Sequence, residues 1–115
     1  MKLQDIVRKL DLEVVSGEKN LDREVTRGYS SDLMSDVIAN TGKDDLWVTL
    51  QTHINIVAVA SMKELAAIVL INGRRPERET LNRAVQEEVT ILVSSLPSFE
   101  VIGRLYSYGI TGMKE

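Results

Sequence analysis

Hydrophobic residues recur along the chain in two patterns, which predict helices alternating with strands. Leu3, Ile6, Val7 and Leu10 follow a spacing of three and four residues, which is typical of an amphipathic helix. Short apolar runs bounded by polar or glycine-containing turns predict strands instead. The predicted strands cover residues 12–15, 24–29, 45–50, 66–71 and 89–93. The resulting order is helix, strand, strand, then helix and strand in alternation, ending on a helix.

The alternation from Ser31 onward indicates the fold class. Strands separated by helices pair in parallel, and the connecting helices cover the faces of the sheet. We therefore expect an α/β protein with a largely parallel sheet. Residues 1–108 are expected to form a single domain, and residues 109–115 a frayed C-terminal tail. The strand order stays open, because segments 12–15 and 24–29 can pair in more than one way.

Polar residues precede three of the predicted helices and are candidates for their N-caps. In the last helix we place Pro97 in the first turn and expect Phe99, Ile102 and Tyr106 to face the core. The candidate caps are Ser30, Ser31 and Asp32 for the second helix, Asn55 for the third, which is predicted to run to about residue 65, and Ser94 or Ser95 for the last.

The same polar residues are candidates for a ligand site. In open α/β sheets, ligands bind beyond the carboxyl ends of the strands, where helix N-termini with free N–H groups can hold an anion. Helix capping alone is a sufficient reason for the serines. Capping of the third helix requires only Asn55, so Gln51, Thr52 and His53 need another explanation, such as a ligand or an interface. The candidate ligand-binding residues are Ser30, Ser31, Asp32, Gln51, Thr52, His53, Asn55, Ser94 and Ser95.

Catalytic and metal chemistry find little support in the sequence. His53 is the only histidine and the chain has no cysteine, whereas zinc requires three or four nitrogen or sulfur ligands. A catalytic His53 would need a nucleophile and an orienting carboxylate, which the sequence does not identify. We therefore expect no catalytic residues, no metal and no cofactor.

Composition narrows the function classes further. The net charge is −3 and basic residues are interleaved with acidic ones, so a nucleic-acid partner is not expected. Arg74, Arg75 and Arg78 form the only basic cluster, with acidic residues beside them. The longest apolar stretch, residues 54–71, contains Lys63 and Glu64 and is too polar to span a bilayer. We expect a soluble, cytoplasmic protein.

Several segments in combination resemble a known family, the DRTGG domain. Asp22, Arg23 and Gly28 match the residues that give the family its name, and Thr26 matches loosely. The resemblance extends from Met1 to about Leu105. The segments that carry it are NLDREV at 20–25, SDLMSDV at 31–37, DLWVT at 45–49, QTHINIVAVA at 51–60 and AAIVL at 66–70.

The resemblance implies a three-layer α/β/α sandwich with a mixed, mostly parallel sheet of about five strands, usually in a homodimer. DRTGG domains are similar to the N-terminal domain of HPr kinase/phosphorylase. They also accompany CBS domains in regulated pyrophosphatases, where catalysis lies in other domains. Versions like this chain are found near iron-only hydrogenase genes, which implies a redox enzyme as an alternative partner.

Three hypotheses follow. The first is a non-catalytic regulatory module that forms a homodimer and senses a small anionic metabolite or nucleotide, with Phe99, Tyr106 and Tyr108 as candidate dimer contacts. The second is an accessory protein that binds a partner enzyme such as a hydrogenase. The third is a small enzyme that uses His53 with Asp32 or a serine, and it requires these groups within hydrogen-bonding reach.

Overall fold

The computed structural model describes residues 1–113 and contains the predicted order of helices and strands, with a short 3-10 turn at Glu18–Asn20. The helices are α1 (Leu3–Leu10), α2 (Met34–Asn40), α3 (Asn55–Met62), α4 (Arg78–Glu87) and α5 (Ser98–Ser107), and the strands are β1 (Glu13–Ser16), β2 (Gly28–Ser30), β3 (Leu46–Thr49), β4 (Ala67–Leu70) and β5 (Ile91–Val93).

The five strands form one mixed sheet in the order β1-β5-β4-β3-β2. Strands β2 to β5 are parallel to their neighbours, and β1 pairs antiparallel with β5. Because right-handed crossovers between successive neighbouring strands all lie on one side of a sheet, α2, α3 and α4 cover one face. Helices α1 and α5 pack together on the other face. The predicted three-layer α/β/α sandwich is therefore confirmed.

Two separate hydrophobic clusters fill the two spaces between the layers. Successive residues of a strand point to opposite faces, so Leu46 and Val48 of β3 join the cluster beneath α1 and α5. Trp47, between them in sequence, joins the cluster beneath α2, α3 and α4. All three side chains are buried. A central strand covered on both faces reads as a continuous apolar run, which is the pattern the sequence shows here.

A buried carboxylate connects the residues that precede β2 with the start of β3. The Asp45 side chain is fully buried and forms an ion pair with Arg27 at 3.1 Å. It also accepts hydrogen bonds from the Thr26 hydroxyl at 2.7 Å and from the Gly42 backbone N–H at 2.8 Å. Arg27 in turn donates to the Asn40 carbonyl oxygen at 2.6 Å. The segment before β2, the end of α2 and the start of β3 are thus held by one group of polar contacts.

Arg23 makes a second set of contacts at the same edge of the sheet. Its guanidinium donates to the Asp44 carboxylate at 2.6 Å and to the Leu65 carbonyl oxygen at 3.0 Å. A further hydrogen bond reaches the Glu64 carbonyl oxygen. Arg23 therefore ties the segment before β2 to the turns that precede β3 and β4, which is a structural role for a residue that carries the family resemblance.

The predicted strand 24–29 is mostly wrong, because only Gly28–Ser30 forms β2. Two of the residues before Gly28 make other contacts: Glu24 forms an isolated bridge with Lys2, and Val25 is buried. Helix α3 also ends earlier than predicted, at Met62, because Glu64 adopts a left-handed backbone conformation with φ of 53°.

The orientation predicted for the last helix is wrong. Val101 and Leu105 are the buried residues of α5, whereas Phe99 is 87%, Tyr106 63% and Ile102 38% exposed. Two apolar rows with helical spacing run along this helix, and the row of smaller aliphatic side chains packs against α1 and the sheet.

Two residues of the predicted tail contact the domain, whereas Met113 is 78% exposed. Ile110 is buried, and the Gly28 N–H donates to the Thr111 carbonyl oxygen at 2.9 Å, which covers part of the free edge of β2. The remaining tail residues, Lys114 and Glu115, lie outside the described residues.

The Asp45 contacts generate a stability prediction. We expect Asp45→Ala to lower the free energy of unfolding by about 3 kcal/mol or more, because it leaves the mostly buried Arg27 guanidinium without its counter-charge. Urea denaturation monitored by circular dichroism measures the change. Asp5→Ala, which removes the surface pair with Arg8, is the matched control and should cost below about 1 kcal/mol. Equal losses in the two variants would contradict the assignment.

Candidate functional site

The carboxyl ends of β2, β3, β4 and β5 meet at one edge of the sheet, since these strands are parallel. The loops that leave this edge cover residues 31–33, 50–54, 71–77 and 94–97. Seven of the nine candidate ligand-binding residues lie in these loops, while Ser30 is the last residue of β2 and Asn55 the first residue of α3. The structure therefore gathers them along one edge, but it assigns several of them to internal contacts.

Asp32 joins the loop after β2 to the end of β3. Its carboxylate accepts hydrogen bonds from the Thr49 hydroxyl at 2.8 Å and from the Leu50 backbone N–H at 2.7 Å. The Gln51 side-chain amide donates to the Asp32 carbonyl oxygen at 3.0 Å. The expectation that Asp32 caps the following helix is wrong, because α2 begins at Met34 and its first turn receives no hydrogen bond from this carboxylate.

Ser31 fixes the same loop from its other side. Its hydroxyl oxygen accepts from the Leu33 N–H at 3.1 Å, and its carbonyl oxygen accepts from the indole N–H of the buried Trp47 at 2.8 Å. Ser31 is thus a turn residue ahead of α2 rather than its N-cap. Ser30, at the end of β2, is exposed.

The start of α3 differs from the prediction in a way that involves His53. Asn55 does not cap the helix; it is the first helical residue, and its backbone N–H donates to His53 Nδ1 at 3.3 Å. The His53 imidazole therefore occupies the position of a capping acceptor, and its second nitrogen belongs to an exposed ring.

Thr52 brings the start of α4 next to the start of α3. Its carbonyl oxygen accepts from the Glu77 N–H at 3.2 Å and from the hydroxyl of the buried Thr80 at 2.8 Å. Two helix N-termini consequently lie side by side, with His53 and Asn55 exposed on one and Arg78 exposed on the other.

Between β4 and β5 the edge is closed by backbone hydrogen bonds. Asn72 and Gly73 both have positive φ, 57° and 66°, and form a tight turn that glycine and asparagine tolerate. The Asn72 N–H donates to the Leu96 carbonyl oxygen at 2.9 Å, and the Gly73 N–H to the Ser94 carbonyl oxygen at 2.7 Å. Helices α4 and α5 leave for opposite faces here, which is where open sheets usually form a ligand crevice.

Ser94 is buried, and its hydroxyl oxygen accepts from the Leu96 N–H at 3.1 Å. The prediction that Ser94 or Ser95 caps the last helix is wrong, because α5 begins at Ser98 with Pro97 in the N-cap position. Ser95 is exposed. Five of the nine candidate residues stay exposed along this edge: Ser30, Asp32, His53, Asn55 and Ser95. Of these, His53 and Asn55 lie at the start of α3.

The basic cluster beside these helix starts is only partly neutralised. Arg75 forms a two-fold hydrogen-bonded pair with Glu13, with both N···O distances 2.8 Å. This hydrogen bonding lowers the pKa of the Glu13 carboxyl and raises the pKa of Arg75. Arg74 and Arg78 are exposed, and Glu77 and Glu79 lie beside them in sequence.

Tyr29 and Asp36 form a second titratable pair, between β2 and α2. The Tyr29 hydroxyl lies 2.9 Å from both carboxylate oxygens, and the Asn40 side-chain amide donates to Asp36 Oδ1 at 2.9 Å. The hydrogen bond from Tyr29 lowers the pKa of Asp36, with a further contribution from the Ser31 hydroxyl. The same bond raises the pKa of Tyr29.

The third hypothesis, a small enzyme, requires His53 within hydrogen-bonding reach of Asp32 or a serine. Asp32 accepts hydrogen bonds from Thr49 and Leu50, and His53 accepts one from the backbone of Asn55, so no hydrogen bond joins these two side chains among residues 1–113. Within the same residues, histidine, aspartate and glutamate form no group of three that could hold a metal ion. The described helices have at most ten residues, and none of them is long and apolar enough to cross a membrane.

The Asp32 contacts predict a moderate loss of stability on truncation. Asp32→Ala should lower the free energy of unfolding by about 1–2 kcal/mol, because the Leu50 N–H and the Thr49 hydroxyl lose their acceptor. Thermal or urea denaturation measures the loss. Asp22→Ala, at another exposed aspartate, should stay within about 0.5 kcal/mol. A neutral Asp32→Ala variant would show that its hydrogen bonds carry no net stability.

The Tyr29–Asp36 pair predicts a pH effect. A carboxyl whose pKa is depressed in the folded state adds stability above its ordinary pKa of 3.8, and this stability is lost as the pH falls through the folded pKa. Tyr29→Phe should raise the pKa of Asp36 toward its ordinary value and flatten the stability profile between about pH 5 and pH 1. Carboxyl carbon NMR titration measures the pKa directly. An unchanged pKa of Asp36 would refute the role given to the tyrosine hydroxyl.

Comparisons with known proteins support the fold. No family model matches the chain, and no curated protein matches its sequence. A similar solved structure comprises the CBS and DRTGG domains from the regulatory region of a Clostridium perfringens pyrophosphatase, in complex with the activator diadenosine tetraphosphate. The TM-score is 0.71 at 16% identity, over 98% of this chain and 47% of that chain. The chain thus spans about half of that protein's length, and at this identity the similarity establishes a shared, DRTGG-like fold.

Proposed function

We propose that the chain is a non-catalytic regulatory module that acts through a protein–protein contact and responds to a small anionic ligand. The observation that carries the proposal is the surface of α5. Three of the five aromatic residues of the chain, Phe99, Tyr106 and Tyr108, are exposed on or just after this one helix. Exposed aromatic side chains grouped on one segment are typical of sites of protein contact.

The shared fold supports a regulatory role. The Clostridium perfringens structure is described as a regulatory region in complex with an activator. This chain covers about half of that structure, so diadenosine tetraphosphate is a starting point for a ligand search here and not an assigned ligand. We place the present chain in the same class of module, in the cytoplasm, as a homodimer.

A candidate anion site lies where α3 and α4 begin. The two N-termini are adjacent because the Thr52 carbonyl oxygen accepts hydrogen bonds from both Glu77 and Thr80. Helix N-termini attract anions through their free N–H groups and the helix dipole. His53 and Asn55 supply polar groups, and Arg78 supplies positive charge. Glu77 and Glu79 lie beside Arg78 in sequence and reduce the net positive charge there.

A second candidate function uses the same surface of α5 for a different partner. An exposed aromatic row is equally suited to binding a partner enzyme, such as the hydrogenase or other redox enzyme that the sequence resemblance implies. The oligomeric state distinguishes the two: a homodimer covers this row with a second copy, whereas a monomer leaves it open for another protein.

A thermal-shift screen tests the ligand part of the proposal. The probes are diadenosine tetraphosphate, ATP, acetyl phosphate and inorganic polyphosphate. A ligand at about 100 times its dissociation constant should stabilise the fold by about 2.7 kcal/mol. The shift should disappear in His53→Ala and Arg78→Ala and persist in Lys19→Ala, which changes an exposed residue away from this site.

The outcomes separate the parts of the proposal. No shift with any of the four probes would reject these four compounds as ligands. A shift that survives both His53→Ala and Arg78→Ala would place the ligand elsewhere. A protein that stays monomeric at high micromolar concentration in light scattering would reject the homodimer and favour the partner enzyme.

A further inference from the structure

We propose that His53 makes the start of α3 sensitive to pH, because the neutral imidazole caps this helix and protonation of the ring removes the cap. The contact that carries the proposal is the hydrogen bond from the Asn55 backbone N–H to Nδ1 of His53, at 3.3 Å. This inference goes beyond the proposed function, since it concerns the loop itself and holds whether or not an anion binds there.

The backbone around His53 has the geometry of a helix start. Ile54, which directly precedes α3, already has helical dihedral angles, with φ of −55° and ψ of −27°. The His53 carbonyl oxygen accepts from the Ile56 N–H at 3.1 Å. The turn that leads into α3 thus begins at His53, and the imidazole accepts from the N–H of the second residue after it. This is the relation of a capping serine or aspartate to its helix.

Protonation of the ring converts this acceptor into a donor. A neutral imidazole has one nitrogen that donates and one that accepts, whereas both nitrogens of an imidazolium donate. The Asn55 N–H therefore loses its acceptor when Nδ1 takes up a proton. The new positive charge also lies at the positive end of the α3 dipole, which is unfavourable. Because both effects have the same sign, protonation of His53 destabilises the first turn of α3.

The surroundings of His53 provide access to solvent and no ionic partner. The residue is exposed. The charged residues of the adjoining segments are Asp32 in the loop before α2, and Glu77, Arg78 and Glu79 at the start of α4. In the described part of the chain, no ion pair joins any of them to His53. Imidazole is the side chain that ordinarily changes its charge between about pH 5 and pH 8.

The sequence of α3 offers no replacement for this cap and limits how far its loss extends. The first turn contains no acidic residue that would stabilise the N-terminus through the helix dipole. Ile56 and Val57 are buried, and they hold the helix on the sheet. We therefore expect protonation to loosen the first turn while the rest of α3 stays in place.

NMR spectroscopy of the uniformly ¹⁵N-labelled full chain tests the proposal. Because His53 is the only histidine, its ring nitrogen signals are assigned without ambiguity. As the pH falls from about 8 to about 5, the ring should become protonated and the Asn55 amide signal should move with the same midpoint. The hydrogen-exchange protection of this amide should fall about fivefold, as expected for the loss of a cap.

Two substitutions of His53 serve as matched controls. His53→Asn offers a side-chain oxygen as many bonds from the backbone as Nδ1 and keeps an acceptor at every pH, so the protection of Asn55 should stay high. His53→Ala has no acceptor, and the protection should stay low. The wild-type protein should match His53→Asn at the higher pH and fall to the level of His53→Ala, or below it, at the lower pH.

Two results would overturn the proposal. The first is an Asn55 amide signal that does not follow the protonation of the ring. The second is an equal dependence on pH in the wild-type protein and in His53→Asn, which would assign the effect to another group. Neither result depends on a ligand or on the oligomeric state, so the proposed function is tested separately.

Discussion

The fold depends on one buried carboxylate. Asp45 lies at the amino end of β3, where no water can reach its side chain, and it is stabilised there by Arg27, Thr26 and Gly42. A buried charge is tolerated only where its counter-charge and hydrogen bonds are all present. Those partners come from the segment before β2 and from the turn after α2, so the buried carboxylate holds both segments against the start of β3, next to the β2–β3 pairing.

The polar residues at the two ends of the parallel strands have different roles. At the amino end, the residues that carry the family resemblance, notably Arg23 and Gly28, hold turns together or pair strands. At the carboxyl end, hydrogen bonds to Asp32 and Thr52 connect the loops, and His53, Asn55 and Arg78 are exposed at two adjacent helix starts. Arg23 and Gly28 therefore contribute to the architecture of the fold.

The sequence predicted the order of the elements and a largely parallel sheet, because both depend on local periodicity and on the alternation of helices with strands. The mixed sheet was implied only by the family resemblance. It did not predict which row of α5 is buried. Val101 with Leu105 and Phe99 with Tyr106 have equally helical spacing, and only packing against α1 decides between them. The predictions of the capping residues were wrong for a related reason. Asp32 is a good capping residue by type, but a donor pair on a distant strand holds it, and such a contact has no local signal.

The antiparallel strand β1 has a consequence for the order in which the chain folds. Strands β2, β3 and β4 each pair with the strand that follows in sequence, so these pairs can form one crossover at a time. β1, by contrast, pairs with β5 across most of the chain, and α1 packs against α5. Contacts of such long sequence separation form slowly, because the whole intervening loop must close first. During synthesis, residues 3–16 leave the ribosome before the other elements, yet they acquire these packing partners last.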